Sequence, residues 1–144
     1  MAKPEAWRLN PAVYPFSFDV ATRWSDLDML GHINNVSMAG LFEEGRGKFT
    51  HSLDMHRERR DVRWLIAGVE IAYLAEAHHP APLTVASGIG RIGTSSWSVL
   101  SAAFQDGKCV ATCETTTVYT DANGAAAIPD DYRAKLSAMM VKRP

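Results

Sequence analysis

The stretch Trp24-Ser-Asp-Leu-Asp-Met-Leu-Gly-His-Ile-Asn-Asn35 sets two acids, a glycine, a histidine and paired asparagines side by side. Upstream, Phe16-Ser-Phe-Asp-Val-Ala-Thr-Arg-Trp24 alternates and predicts a strand with Phe16, Phe18 and Val20 on one face. Downstream, Met38, Leu41, Phe42, Gly45, Phe49 and Leu53 recur at spacings of three and four, the apolar stripe of a helix from about Asn35 to Leu53. The polar stretch is therefore a strand-to-helix junction. Asn34 or Asn35 is a candidate N-cap, because an asparagine side chain accepts from the open N–H groups of a first turn. Gly40, Gly45 and Gly47 each cost up to about 1 kcal/mol in an isolated helix, which predicts close packing against it.

Beyond a charged connection containing Arg57, Arg59, Arg60 and Arg63, the texture changes to strands. Trp64–Ala75, Leu83–Ile92, Ser95–Gln105 and Lys108–Thr120 are apolar or alternating runs. Asp106-Gly107 is a hairpin signal, Gly93-Thr94 marks a second tight reversal, and Asp121-Ala-Asn-Gly124 closes the last strand. Pro129–Val141 opens with proline and acids, as a terminal helix does. One long helix beside mostly hairpin-linked strands predicts an α+β fold of about five strands that wrap the helix. Residues 1–15, with three prolines and no periodicity, are expected to form an irregular arm, and residues 16–144 a single domain.

Composition narrows the function classes. A net charge of -1 over 144 residues gives no electrostatic reason to expect nucleic acid or an anionic membrane as partner. No apolar run approaches the ~18–20 residues of a membrane span, and the N-terminus lacks the apolar core of a secretory signal. Cys109 and Cys113, four apart in one strand, are expected on the same face but too far apart for a disulfide, as buried thiols in a reducing cytoplasm.

The motif Asp26-x-Asp28-x-x-Gly31-His32-x-Asn34-Asn35, followed by Leu41-Phe-Glu-Glu-Gly-Arg46 on a helix, resembles the 4-hydroxybenzoyl-CoA thioesterase-like family of hotdog-fold proteins. The turn Arg91-Ile-Gly-Thr-Ser-Ser96 also resembles one common there, and the shared topology spans about Phe16–Thr120. The resemblance implies a curved antiparallel sheet around a central helix, a homodimer or homotetramer, and hydrolysis of acyl-CoA thioesters at a site shared between subunits. It implies Asp28 as the catalytic carboxylate and the backbone N–H of Asn35 as the group polarising the thioester carbonyl. Asp26, Gly31, His32 and Asn34 then support the loop, and Arg91, Thr94 and Ser95 are candidate contacts to coenzyme A, which enters only as part of the substrate. Glu43 is the fallback catalyst, since some family members use a helix carboxylate. No metal is implied.

These residue types suit the chemistry. Thioester hydrolysis develops negative charge on the carbonyl oxygen, and a helix's first turn offers unpaired N–H groups at the positive end of its dipole. A carboxylate facing the carbonyl either attacks it or takes a proton from water. The leaving thiol has a pKa near that of cysteine, about 8.5, so it departs as thiolate without a strong acid. Trp64, Leu65, Tyr73, Met38 and Phe42 are of the types that line an apolar acyl slot or fill a core. Two rivals remain on the same fold. One is a non-catalytic acyl-CoA or acyl-carrier binding module. The other is a lyase or dehydratase, disfavoured because the hydratase signature GDxNPxH does not occur.

Overall fold

The computed structural model describes residues 3–55 and 63–144. The elements run β1 (Phe16–Val20), α1 (Asn35–Ser52), β2 (Arg63–Tyr73), β3 (Leu83–Ile92), β4 (Ser96–Gln105), β5 (Lys108–Asp121), β6 (Gly124–Ala125) and α2 (Asp130–Ser137). One antiparallel sheet has the order β1-β3-β4-β5-β2, with the two-residue β6 folding back on β5. This curled sheet around one long helix is the hotdog arrangement.

The helix forms where its stripe is spaced. Met38, Leu41, Phe42, Gly45, Phe49 and Leu53 are all buried. Its N-terminal half packs with Val20, Leu83, Val85 and Ala103, and its C-terminal half with Ile89, Trp97, Val99 and Leu136. Of the three helix glycines only Gly45 has something close to it, the side chain of Val85. Gly40 and Gly47 have nothing within 4 Å of where a Cβ would stand.

The turn residues act as their chemistry demands. Asp106 and Gly107 both take positive φ, 52° and 79°, the geometry that matches a hairpin's twist. Gly93 N–H donates to the Ser96 carbonyl at 2.7 Å to close the β3–β4 reversal.

Residues 6–9 and 11–13 form short 3-10 turns. Val13, Tyr14 and Val141 lie with Ala86, Leu100, Ala102 and Phe104 in a second core on the outer face of the sheet. The middle strands β3 and β4 are consequently buried on both faces.

Two further expectations are corrected. Cys109 and Cys113 do not share a face. Ala103 pairs with Ala111 and Phe104 with Cys109, so Val110 is an extra, bulged residue between them. The Val110 carbonyl accepts from both Leu74 and Ala75, Cys113 joins the helix-side core, and Cys109 packs on the outer one. Both are free thiols, and burial pushes each up from the usual cysteine range. The terminal helix also stops at Ser137 instead of running to Val141. Ile89 N–H donates to the Met139 carbonyl and Val141 N–H to the Ile89 carbonyl, so the tail extends the sheet edge beyond β1. Arg57, Arg59 and Arg60 lie outside the described residues, while Arg63 opens β2.

Candidate active site at the start of the long helix

The junction is a small, internally bonded loop. Asp26 is fully buried, and the Arg23 backbone N–H donates to its Oδ2 at 2.8 Å while the Arg23 guanidinium grips Oδ1. Burial raises the Asp26 carboxyl, but the Arg23 side chain, the Arg23 N–H and the Ser37 hydroxyl outweigh it and leave the group below the usual range. The Asp26 carbonyl accepts from Asn34 N–H at 2.9 Å, which fixes the two ends of the loop against each other. Asp26 is thus a structural support.

Between those ends, Leu27 and Ile33 form a β-bridge and residues 28–31 make the turn. Gly31 N–H donates to the Asp28 carbonyl at 3.1 Å, and Gly31 has φ of 87°, a conformation that costs other residues a steric penalty. The Asp28 carboxylate accepts at Oδ1 from Leu30 N–H at 2.9 Å, the short local bond an aspartate makes in a turn. Its Oδ2 faces His32 Nδ1 at 3.8 Å, and the side chain is 34% exposed. Asp28 is held by one oxygen and open at the other.

Asn34 is the N-cap, its side chain accepting from Ser37 N–H at 2.8 Å. Met38 N–H makes the first helical bond, to Asn34. The N–H groups of Asn35 and Val36 have no acceptor among the described residues, and Val36 is 83% exposed. The first turn therefore presents two donors beside the Asp28 loop. Tyr73, at the end of β2, donates its hydroxyl to the Asn35 carbonyl at 3.2 Å.

The structure thus brings Asp26, Asp28, Gly31, His32, Asn34 and Asn35 together. It places the other candidates elsewhere. Glu43, two helical turns on from Asn35, lines a cleft of about 330 Å³ with Arg46, His51, Trp64, Trp97 and Thr117. Met38 and Phe42 are core residues, 3% and 1% exposed, so among the described residues they do not join Trp64, Leu65 and Tyr73 in a single slot beside Asp28. Arg91, Thr94 and Ser95 sit at the β3–β4 turn, at the opposite end of the sheet from Tyr73. The Thr94 and Ser95 carbonyls are taken by Ile128 and Tyr119 N–H groups, and Arg91 is exposed.

Sequence reasoning missed two sets of residues. Arg133 donates to the Gly93 carbonyl at 2.7 Å and Arg143 to the Gly90 carbonyl at 2.9 Å, so the C-terminal segment adds two cations near Arg91. Near Asp28, Glu76 and His78 from the β2–β3 connection face His32. The cluster "EAHHP" (Glu76–Pro80) was the available signal. No group of three His, Cys, Asp or Glu side chains among the described residues is placed to hold a metal ion. None of the described helices is long and apolar enough to cross a membrane.

Comparison with known proteins decides the family. The model of the thioesterase-like superfamily matches residues 22–136, most of the chain and all of the junction. The chain belongs to the thioesterase-like superfamily. A predicted thioesterase from Bacillus stearothermophilus shares this hotdog fold at 28% identity and a TM-score of 0.80, over 90% of this chain and 98% of that one. A Thermus thermophilus thioesterase, solved with coenzyme A and zinc, has 23% identity and a TM-score of 0.79 over 88% and 94%. The uncharacterized protein YsmA of Bacillus subtilis is 32% identical over 92 residues, 64% of this chain but only 60% of that protein's length.

Proposed function

We propose that this superfamily member hydrolyses acyl-CoA thioesters, with Asp28 as nucleophile or general base and the Asn35 and Val36 amides holding the carbonyl oxygen. One observation carries the reading: a carboxylate open at Oδ2 sits in the same bonded loop that delivers two unpaired N–H groups at the helix start. Those donors favour the oxyanion more than the ground-state carbonyl, which is what catalysis requires. The only cofactor moiety involved is the coenzyme A of the substrate. A cytoplasmic location fits two reduced thiols, one of them buried.

The reading places the complete site between two subunits. β2 is an edge strand of the sheet and exposes Leu65, Ile66, Val69 and Tyr73. An unpaired apolar edge is a template for pairing with another strand. The Tyr73 end of β2 lies by Asp28, whereas the Trp64 end lies by the 330 Å³ cleft and the β3–β4 turn. Antiparallel pairing of two β2 strands brings the Asp28 loop of one subunit to the cleft of the other. The cleft then receives the acyl group, and Arg91 with Arg133 at the nearby turn meets the phosphates of coenzyme A.

A non-catalytic binding module is the second reading, favoured by the bond from Leu30 N–H, since an aspartate so engaged serves the turn whether or not it catalyses. Release of free thiol from a panel of aliphatic and aromatic acyl-CoAs separates the two. Turnover well above background supports the hydrolase; tight binding with intact thioester supports the module.

A further inference from the structure

On the reading that the protein is a thioesterase, we propose that Glu76 is a positioning residue, which holds the His32 ring between two carboxylates and so keeps Asp28 facing the substrate. His32 Nδ1 lies 3.8 Å from Asp28 Oδ2, and its Nε2 lies 3.4 Å from Glu76 Oε1. The other Glu76 oxygen, Oε2, lies 3.8 Å from His78 Nε2, and the His78 ring meets His32 edge-on with centroids 6.1 Å apart. One carboxylate thus lies between two imidazoles, and one imidazole lies between two carboxylates.

The backbone is built to hold this arrangement. Ile33 N–H, next to His32, donates to the carbonyl of Ala77, next to Glu76, at 2.8 Å. Ala77 is 2% exposed, and the Gln105 side chain accepts from His78 N–H at 2.8 Å while donating to the His78 carbonyl at 2.7 Å. Two segments distant in sequence are locked main chain to main chain, and each presents one partner of the contact. The Glu76 side chain itself is 65% exposed. An ion pair that open adds little to folding stability. A rigid backbone under a weakly stabilising carboxylate points to a role in the site.

A neutral imidazole has one N–H and donates to one neighbour; a protonated ring donates to both. The groups facing His32 are Asp28 on its own loop and Glu76 and His78 from the β2–β3 connection. With Oδ1 occupied by the loop amides, Oδ2 is the oxygen that works on substrate.

The test compares Glu76→Gln, Glu76→Asp and a control, Glu44→Gln, for kcat and KM and for the ring resonances of His32 in protein labelled at histidine nitrogen. Glu76→Gln is expected to lower kcat by about tenfold, a minor part of the 10²–10⁴ a general base contributes, with KM little changed. The His32 resonances shift, and Glu76→Asp restores most of the rate. Unchanged His32 resonances in Glu76→Gln overturn the proposal whatever the activity, as does an unchanged kcat. If the wild-type protein hydrolyses no thioester, the thioesterase reading fails and takes the catalytic role of Glu76 with it, while the resonances still decide whether the His32–Glu76 contact exists.

Discussion

Gly45 of α1 lies so close to Val85 of β3 that a Cβ at position 45 would stand 2.7 Å from the Val85 Cβ. That contact seats the helix in the sheet and thereby fixes where its first turn points. Gly45→Ala is predicted to destabilise the fold by about 1–3 kcal/mol through overpacking. Gly40→Ala, with nothing within 4 Å, is predicted to stabilise it by up to about 1 kcal/mol. Urea melts of the two variants check both signs, and equal effects would show that the helix is not seated as described.

Asp26 carries a pH dependence whose sign is fixed. Its folded-state carboxyl lies below the usual range, so its contribution is fully present above about pH 3.9, the unfolded value, and is lost as pH falls through the lower folded value. Asp26→Asn is expected to cost about 1–2 kcal/mol at neutral pH, the scale of a hydrogen bond to a charged group. Because Arg23 is largely exposed, the lower part of that range is expected. The gap between variant and wild type should narrow in melts as pH falls below about 3.9; a gap that widens there contradicts the assignment.

The exposed β2 edge gives an assembly prediction. Light scattering should find the wild-type protein at twice the chain mass or a multiple of it. Val69→Lys puts a charge in the middle of that apolar edge and should yield a folded monomer. The monomer should lose thioester hydrolysis, because Asp28 is then separated from the opposite cleft. A wild-type monomer with full activity would refute the shared site.

Much of this was legible in the sequence, and the reasons are specific. The stripe from Met38 to Leu53 could be read because one helix face packs on one sheet, which imposes a period of 3.6 on the apolar residues. Asp106-Gly107 could be read because few residues accept positive φ. Asp26, Asp28 and Asn34 were legible as a group, and the resemblance already assigned Asp26 to loop support, but its burial and its grip by Arg23 exist only in the fold. The cysteines were misplaced because the bulge at Val110 breaks the two-residue alternation and leaves no trace in residue type. The terminal helix was overextended because Ala138, Met139 and Met140 are good helix formers, while the segment they belong to is drawn off by an open edge at Ile89. Glu76, Arg133 and Arg143 escaped because each meets its partner only through tertiary structure.

The central claim is most directly tested by the rate of thiol release from an acyl-CoA substrate with Asp28→Asn. Asparagine keeps an oxygen for Leu30 N–H and so preserves the turn, while removing the charge and the basicity. The account predicts a variant that folds like the wild type, by circular dichroism and melting temperature, with kcat lowered by about 10²–10⁴. A correctly folded Asp28→Asn protein that hydrolyses its substrate at the wild-type rate would contradict it.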